Sequence, residues 1–336
     1  MKVLVVGGSG YLGGAIARDL SDAGTEVLSL SRSGRARSGW PVVGDVTKPS
    51  LALGGDELEA IRRTVTHIVS CAGSVTWELG PREANEIHQR GTAAVFELAR
   101  SCQRLEKVVH VSSILALGRA KGLMGNRELF VGQRFRNWYE YGKYLSEHEA
   151  RQAATDVPTC VIRFGPLLGT AQPGLLSMSS GITATLPVLL QGYPIHLAQG
   201  GEFPCYVGEV ATAAVVVRRL LEGPDSPPVS TWFDPDLPTL RQVLFDLCRP
   251  WGVVPRIVDL PGLKLMVGPI ARRIGLPRAL LDYTTPWLDL DLGVLDELPG
   301  GAPPCPPDYV VASGHELRHG AVAPRIAAGL AAGAGR

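Results

Sequence analysis

Residues 3–13 have the sequence VLVVGGSGYLG, and this stretch decides the fold. Its four apolar residues predict a buried strand, and the glycines behind them predict a tight turn into a helix. Gly8, Gly10 and Gly13 fit the pattern G-x-G-x-x-G, while Gly7 with Gly10 and Gly13 fits G-x-x-G-x-x-G. Glycines let the backbone approach a pyrophosphate, whose charge then faces the first amides of the helix. The stretch therefore predicts a dinucleotide site.

The first 165 residues continue this alternation of short apolar runs with segments of helical periodicity. The runs cover 3–6, 26–30, 67–71, 108–111 and 159–163, and the helical segments cover 12–23, 58–65, 83–102 and 138–154. Alternation of this kind is typical of β-α-β units around a parallel sheet. The predicted fold class is therefore α/β, with an open doubly wound sheet of the Rossmann type.

The pattern changes after Gly165, where proline and glycine interrupt the chain more often. We predict a dinucleotide-binding domain over 1–165 and a smaller, irregular, mainly substrate-binding part over 166–320. Within the second part, 209–221 predicts a helix and 229–233 predicts a strand that returns to the main sheet. The Ala/Gly composition of 321–336 is typical of a disordered tail.

The composition excludes several classes of function. The chain has 336 residues, 45% of them hydrophobic, and a net charge of +1, so no bulk charge attracts nucleic acid. Its six cysteines are scattered singly and its seven histidines lack H-E-x-x-H, which argues against metal sites and disulfides. We find no signal peptide and no apolar stretch of membrane-spanning length. A reducing cytoplasm is the expected location.

The end of the second predicted strand carries the cofactor preference. An acidic residue about 20 residues beyond the glycines would suit the ribose 2′-hydroxyl of NAD, whereas arginine suits a 2′-phosphate. This chain has Ser31 and Arg32 there, with Arg35 and Arg37 behind them. The sequence therefore favours NADP(H) over NAD(H).

Tyr139 and Lys143 stand four residues apart in a predicted helix, which places both side chains on one face. A neighbouring ammonium favours the phenolate form, so we expect the pKa of Tyr139 to be lowered toward neutral pH. A phenol in that position acts as a general acid or base.

With these motifs in order, the first 170 residues or so resemble the extended short-chain dehydrogenase/reductase family. The resemblance rests on seven features: the three glycines at 7, 10 and 13, Asp45-Val46, the stretch 70–73 (SCAG), Gly91-Thr92, the stretch 111–113 (VSS), the Tyr-x-x-x-Lys pair and the stretch 163–166 (RFGP). The segment 71–79 looks most like the branch of thioester reductases and fatty-acyl reductases.

The resemblance implies a role for each matching residue. Ser113 would hydrogen-bond the substrate oxygen, with Ser112 the less favoured choice, Tyr139 would transfer the proton and Lys143 would hold the nicotinamide ribose. The implied cofactor-binding set is Gly7, Gly10, Tyr11, Leu12, Gly13, Ser31, Arg32, Asp45, Val46, Cys71, Ala72, Gly73, Tyr139, Lys143, Phe164 and Gly165. The candidate substrate contacts are Ser74, Trp77, Ser112 and Leu167.

One departure concerns His88, which stands where many family members have asparagine three residues before Gly-Thr. In the family this helix helps to fix the backbone and a water near the active site. His88 either donates a similar hydrogen bond or faces outward, and the sequence favours neither.

Three functions compete. The first is an NADP(H)-dependent reductase or dehydrogenase of an apolar carbonyl, alcohol or acyl thioester. The second is a sugar-nucleotide epimerase or dehydratase; dehydratases of this superfamily typically have Asp-Glu after the catalytic hydroxyl residue, where this chain has Ile114-Leu115. The third, a sensor that binds the dinucleotide without catalysis, is disfavoured because Ser113, Tyr139 and Lys143 are all present.

The substrate and any partner are less constrained. Candidate residues for an apolar pocket are Trp77, Phe164, Leu167, Leu168, Tyr193, Tyr206 and Trp287. The stretch 263–283 combines basic and apolar residues, but Pro269 and Pro277 favour packing on the domain over an amphipathic helix on lipid. By analogy with the family, a homodimer would form through the helices at 83–102 and 138–154.

Overall fold

The computed structural model describes residues 1–77, 79–169, 181–259 and 282–319. Its strands are, in chain order, β1 (Lys2–Val6), β2 (Glu26–Ser31), β3 (Trp40–Val43), β4 (His67–Ser70), β5 (Lys107–Ser113), β6 (Leu123–Met124), β7 (Thr159–Phe164), β8 (Leu167–Leu168), β9 (Ile195–His196), β10 (Gly208–Glu209), β11 (Val229–Trp232), β12 (Ile257–Val258) and β13 (Asp289–Leu290).

Seven of these strands form one parallel sheet in the order β11-β7-β5-β4-β1-β2-β3. The chain builds β2 and β3 on one side of β1 and then returns to build β4, β5, β7 and β11 on the other. The predicted doubly wound α/β fold is confirmed. In such sheets the ligand site lies beyond the carboxyl ends of the strands where the order reverses, which here is between β1 and β4.

Helices cover both faces of the sheet. They are α1 (Tyr11–Asp22), α2 (Gly55–Thr64), α3 (Pro81–Ala84), α4 (Gly91–Ser101), α5 (Trp138–Ala153), α6 (Leu186–Leu190), α7 (Val210–Glu222), α8 (Leu240–Cys248) and α9 (Tyr309–His319). The prediction of a single helix over 83–102 was wrong in one respect, because a π-helical segment, Asn85–Arg90, separates α3 from α4.

The alternation of side chains along β1 explains the two cores. Val3 and Val5 pack with α1 and α7 on one face, whereas Leu4 and Val6 pack with α2, α4 and α5 on the other. Successive residues of a strand point to opposite faces, so a strand covered on both sides is apolar throughout. All four of these residues are fully buried.

Beyond residue 165 the described chain is less regular. It adds β11 to the edge of the main sheet, beside β7, and it forms the short strand pairs β8-β10 and β9-β12. Its strand β13 pairs with β6 of the first 165 residues. The stretch 263–281 and the tail 321–336, for which the sequence made specific predictions, lie outside the described residues. Within the described ranges, no helix has the length and apolar character needed to cross a membrane.

Candidate active site

The glycine turn between β1 and α1 is closely packed. Gly7 has φ +97°, a conformation that favours glycine, and a Cβ on Gly13 would lie 2.2 Å from the carbonyl oxygen of Gly7. Gly10, the residue before α1, provides no side-chain cap for the helix. The first amides of α1, at Tyr11, Leu12 and Gly13, are therefore free of a side-chain cap at the point where this turn meets a cleft.

That cleft lies beyond the carboxyl ends of the central strands. It brings together most of the predicted site residues: Gly7, Gly10, Tyr11, Leu12, Gly13, Cys71, Gly73, Ser74, Trp77, Ser112, Ser113, Tyr139, Lys143, Phe164, Gly165 and Leu167. The predicted residues outside its lining are Ser31, Arg32, Asp45, Val46 and Ala72.

Four of those outer residues lie at the carboxyl ends of β2 and β3 or just beyond them. The Ser31 hydroxyl is buried and donates to the carbonyl oxygen of Arg35 at 3.2 Å, whereas the Arg32 side chain is exposed. Burial opposes ionisation of Asp45, but hydrogen bonds from the Thr47 amide and hydroxyl outweigh it and lower the pKa of the carboxyl. Arg32 contributes to the same lowering of the pKa.

Tyr139 and Lys143 lie on the first turns of α5, where the Asn137 side chain accepts a hydrogen bond from the Glu140 amide at 2.9 Å. Both site residues are buried, at 8% and 9% exposure. Burial raises the pKa of Tyr139 to about 12, although a hydrogen bond with Ser113 opposes the rise. The predicted lowering of this pKa is therefore wrong for the cofactor-free protein, because loss of water outweighs the favourable contacts.

Lys143 is the cation of the site. Its ammonium donates to the carbonyl oxygen of Val111 at 3.4 Å. Burial lowers the pKa of the ammonium, while the nearby Cys71 and Glu147 act in the opposite direction. The thiol of Cys71 has its own pKa raised to about 11 by burial. Lys143 thus lies where the cleft meets the sheet, with its charge directed at the end of β5.

Ser112 and Ser113 end β5 and point to opposite sides. Ser113 Oγ donates to the Phe164 carbonyl at 3.1 Å and accepts from the Leu115 amide at 3.2 Å, and it lies close enough to the Tyr139 phenol to oppose the rise of its pKa. Ser112 Oγ instead donates to Glu147 Oε2 at 2.6 Å. The hydroxyl beside the phenol is therefore that of Ser113.

Glu147 belongs to a buried ionic cluster behind the site. Its carboxylate accepts from Arg163 at 2.8 Å and from Arg151 at 3.0 Å, and it is completely buried. Burial opposes ionisation, but the charge of Arg163 outweighs it and lowers the pKa of Glu147. In the sequence, Arg163 is recognisable only as part of a motif. Glu147 was missed, although its place four residues after Lys143 was an available signal.

His88, which the sequence left undecided, faces inward. The ring is 1% exposed and fits between Gly73 and Gly142: a Cβ on Gly142 would lie 2.7 Å from His88 Cδ2, and one on Gly73 would lie 3.2 Å from Cε1. Neither ring nitrogen has a hydrogen bond of normal geometry, although the Ser74 backbone is near enough to affect the ring. Burial, followed by the charge of Lys143, lowers the pKa of His88 to about 3. The imidazole is therefore neutral at physiological pH.

A second cavity, the apolar chamber, adjoins the cleft. The two share Trp77, Leu115, Pro166, Gly181 and Ile182 as a common wall. The chamber is further lined by Thr185, Ile195, Leu197, Phe203, Pro204, Cys205, Tyr206, Leu240, Leu244, Tyr283, Thr284 and Trp287. Among the residues that the structure describes, none in this lining carries a charge.

The predicted apolar-pocket residues divide between the two cavities. Trp77, Tyr206 and Trp287 line the chamber, while Phe164, Leu167 and Leu168 line the cleft. Tyr193 is 39% exposed and lies outside both linings. No pattern in the sequence indicates the other chamber residues, which come from separate segments that each look like ordinary core.

The fold, with its site at the reversal of strand order, is that of the extended short-chain dehydrogenase/reductase class. The chain belongs to the NAD-binding family described as Male sterility protein, whose profile matches residues 32–199, half of the chain. The match begins beyond the glycine turn, so that turn is supported by the fold and not by the profile.

Two individual relatives have different activities. The chain is 24% identical over 154 residues to the fatty acyl-CoA reductase wat of Drosophila melanogaster, covering 38% of this chain and 30% of that protein. It is 28% identical over 180 residues to a dTDP-6-deoxy-L-talose 4-dehydrogenase (NAD(P)(+)) of Kitasatospora kifunensis, covering 52% and 54%. The matched segment thus spans about half or less of these curated relatives.

Among solved structures, the terminal R domain from the myxalamid PKS-NRPS biosynthetic pathway superimposes with a TM-score of 0.78. The alignment covers 95% of this chain and 90% of that one at 18% sequence identity. At this identity the likeness shows the shared fold alone.

Proposed function

We propose that the protein is an NADP(H)-dependent oxidoreductase that transfers hydride to or from an apolar carbonyl or alcohol. The observation that carries the proposal is the position of Ser113, Tyr139 and Lys143, which line the glycine-turn cleft beside its common wall with the uncharged chamber. A cofactor in the cleft and an apolar substrate in the chamber would meet at these three residues.

The residues present fit a dinucleotide. Gly7 and Gly13 form a cradle that a Cβ would fill, and the uncapped amides of Tyr11, Leu12 and Gly13 suit a pyrophosphate. Asp45 and Val46 are proposed to contact adenine, and the segment from Cys71 to Gly73 is proposed to border the ribose and nicotinamide. When bound, the nicotinamide supplies or accepts the hydride.

The preference for NADP(H) rests on charge at the end of β2. Arg32, Arg35 and Arg37 are all exposed, and no acidic side chain stands among residues 31–37. Arg35 and Arg37, with Arg18 from α1, border an open recess beside β3. Arginine matches the geometry of a phosphate and would leave a bare ribose 2′-hydroxyl without the carboxylate that NAD sites provide.

The chain's own residues supply the proton chemistry. Tyr139 is a phenol at neutral pH because its pKa is raised to about 12, so it can donate a proton to a carbonyl oxygen without prior protonation. Ser113 would donate a second hydrogen bond to the same oxygen as negative charge develops there. Lys143 would hold the ribose and stabilise the phenolate left behind.

The similarity to a dTDP-sugar dehydrogenase makes a sugar-nucleotide enzyme the second candidate function. A sugar nucleotide carries a diphosphate, and binding it usually requires arginine or lysine near the sugar subsite. The uncharged lining of the chamber, among the described residues, favours an apolar substrate instead.

The test is an NADPH-oxidation screen of purified protein across ketones, aldehydes and acyl thioesters of increasing chain length, with dTDP- and UDP-sugars as the competing set. We expect turnover of apolar carbonyls, lost in Tyr139→Phe. Turnover of sugar nucleotides alone, or full activity of Tyr139→Phe, would overturn the proposal.

The cofactor preference is tested separately by titrating NADPH and NADH against wild type and Arg32→Ala. The matched control is Arg104→Ala, an exposed arginine just before β5 and hence at the amino ends of the strands, on the side of the sheet away from the cleft. We expect Arg32→Ala to weaken NADPH binding by about tenfold and to leave NADH binding unchanged. Equal binding of both cofactors by wild type would refute the preference.

A further inference from the structure

A buried ion pair between Arg136 and Glu140 lies directly beside Tyr139. Arg136 Nη1 donates to Glu140 Oε1 at 2.8 Å, and the Arg136 amide donates to Oε2 at 2.7 Å. The side chains are 5% and 0% exposed. A buried pair adds little net stability because both charges lose their water. The groups that this pair contacts are therefore the better guide to its role.

Those groups belong to the wall of the apolar chamber. The Tyr283 hydroxyl donates to Glu140 Oε1, and Arg136 Nη2 donates to the Trp287 carbonyl at 3.1 Å. The guanidinium carbon of Arg136 lies 5.1 Å from the ring centre of Tyr283 and 5.5 Å from that of Trp287, within the range of cation–π attraction. The start of α5 thus holds both aromatic residues in place.

Trp77 connects the ring of Tyr283 to the phenol of Tyr139. Trp77 packs edge-on against Tyr283 with 4.8 Å between ring centres, and its ring centre lies 6.0 Å from that of Tyr139. Trp77, Tyr283 and Trp287 all line the chamber. A closed path of contacts therefore runs from Tyr139 through Trp77 and Tyr283 to Glu140, the residue next to Tyr139 in the chain.

From this arrangement we infer that Tyr283 and Trp287 are specificity-determining residues and that Arg136 and Glu140 are positioning residues that hold them at a fixed distance from Tyr139. The inference rests on the proposed function and refines its substrate class. The part of the substrate next to the reacting carbonyl must be an apolar chain or ring that packs on aromatic faces, because the Tyr283 hydroxyl and the Trp287 carbonyl of this wall already have partners inside the protein.

The test uses Tyr283→Phe, which removes one hydroxyl and keeps the ring, with Tyr193→Phe as the matched control outside both cavities. Each protein is assayed with NADPH and straight-chain aldehydes from hexanal to dodecanal. Binding of the apolar probe 1,6-diphenylhexatriene is measured in parallel by its fluorescence, which requires no turnover. Glu140→Gln keeps an acceptor oxygen for Tyr283 but leaves the buried Arg136 without its anion, so its fold is checked by circular dichroism before the assay.

We expect Tyr283→Phe to raise KM for dodecanal and the Kd of the probe by about tenfold, with a much smaller effect on kcat, since a bond to a charged acceptor is lost from the wall. The rise should be at least as large in Glu140→Gln, because Arg136 loses its anion, and absent in Tyr193→Phe. If Tyr283→Phe binds the probe more weakly than wild type but wild type reduces no carbonyl, the role of Tyr283 in the chamber wall is supported and the proposed function is refuted. Equal KM and probe affinity in Tyr283→Phe and Tyr193→Phe would overturn the inference.

Discussion

Replacing His88 with asparagine should make the protein less sensitive to acid. Burial, with the charge of Lys143, holds the pKa of His88 down to about 3, against 6.5 for a histidine in water. Between these two pH values the unfolded chain therefore binds a proton at His88, whereas the folded protein does not. The stability contribution of a neutral buried imidazole is fully present above the unfolded pKa and is lost as the pH falls toward the folded one.

The size of the effect follows from those two pKa values. Between pH 7 and pH 5, His88 alone should reduce the free energy of unfolding by about 2 kcal/mol, because one pKa unit corresponds to about 1.4 kcal/mol. Asparagine does not titrate, so His88→Asn should lose that much less over the same interval. His110 is also buried, with its pKa lowered to about 3, but it is present in both proteins and cancels.

The assay is urea unfolding of wild type and His88→Asn at pH 7 and pH 5, followed by circular dichroism. Any packing lost in the variant lowers its free energy of unfolding by the same amount at both pH values. The change in unfolding free energy between pH 7 and pH 5, compared between wild type and variant, therefore reports the titration of His88 alone. His148→Asn, at an exposed position on α5, controls for the loss of a histidine from the chain. An equal loss of stability in wild type and His88→Asn would refute the assignment of a neutral, buried ring.

Three further predictions concern the surroundings of Tyr139. Gly142→Ala should cost about 1–3 kcal/mol in urea unfolding, because its Cβ would lie 2.7 Å from His88 Cδ2; unchanged stability would mean that the ring can move aside. Ser113→Ala should lower kcat about 100-fold while Ser112→Ala leaves kcat within a few-fold of wild type, and the reverse order would exchange their proposed roles. Glu147→Gln should destabilise the protein by about 3–5 kcal/mol in the same unfolding assay, because Arg163 would remain buried without its anion; a loss below 1 kcal/mol would contradict this.

The sequence predicted the architecture well because strands covered on both faces are apolar throughout and glycine turns are local. It missed β3, where only Val42 is buried and Pro41 interrupts the pattern. An edge strand of this kind carries too few apolar residues to form a recognisable run. The π-helical segment was also missed, since one extra residue in a turn barely alters helical periodicity.

At the site, the sequence could name the chemical groups but could not say how they are oriented. Strand alternation implies that Ser112 and Ser113 point apart, yet only the tertiary contacts with Glu147 and Tyr139 show which hydroxyl faces the phenol. The raised pKa of Tyr139 depends on burial, which a motif does not report. The apolar chamber could not be predicted because its walls come from distant segments such as 195–206 and 240–244.

The ionic contacts of α5 have a consequence for how precisely the helix is placed. Glu140 is tied to Tyr283 near its first turn, and Glu147 is tied to Arg163 of β7 two turns later. A shift of α5 by one residue would rotate the helix by about 100° and leave both carboxylates without partners. The pairs therefore select one register of the helix over its neighbours, even where they add little stability. That register keeps the phenol of Tyr139 and the ammonium of Lys143 aligned with the cleft.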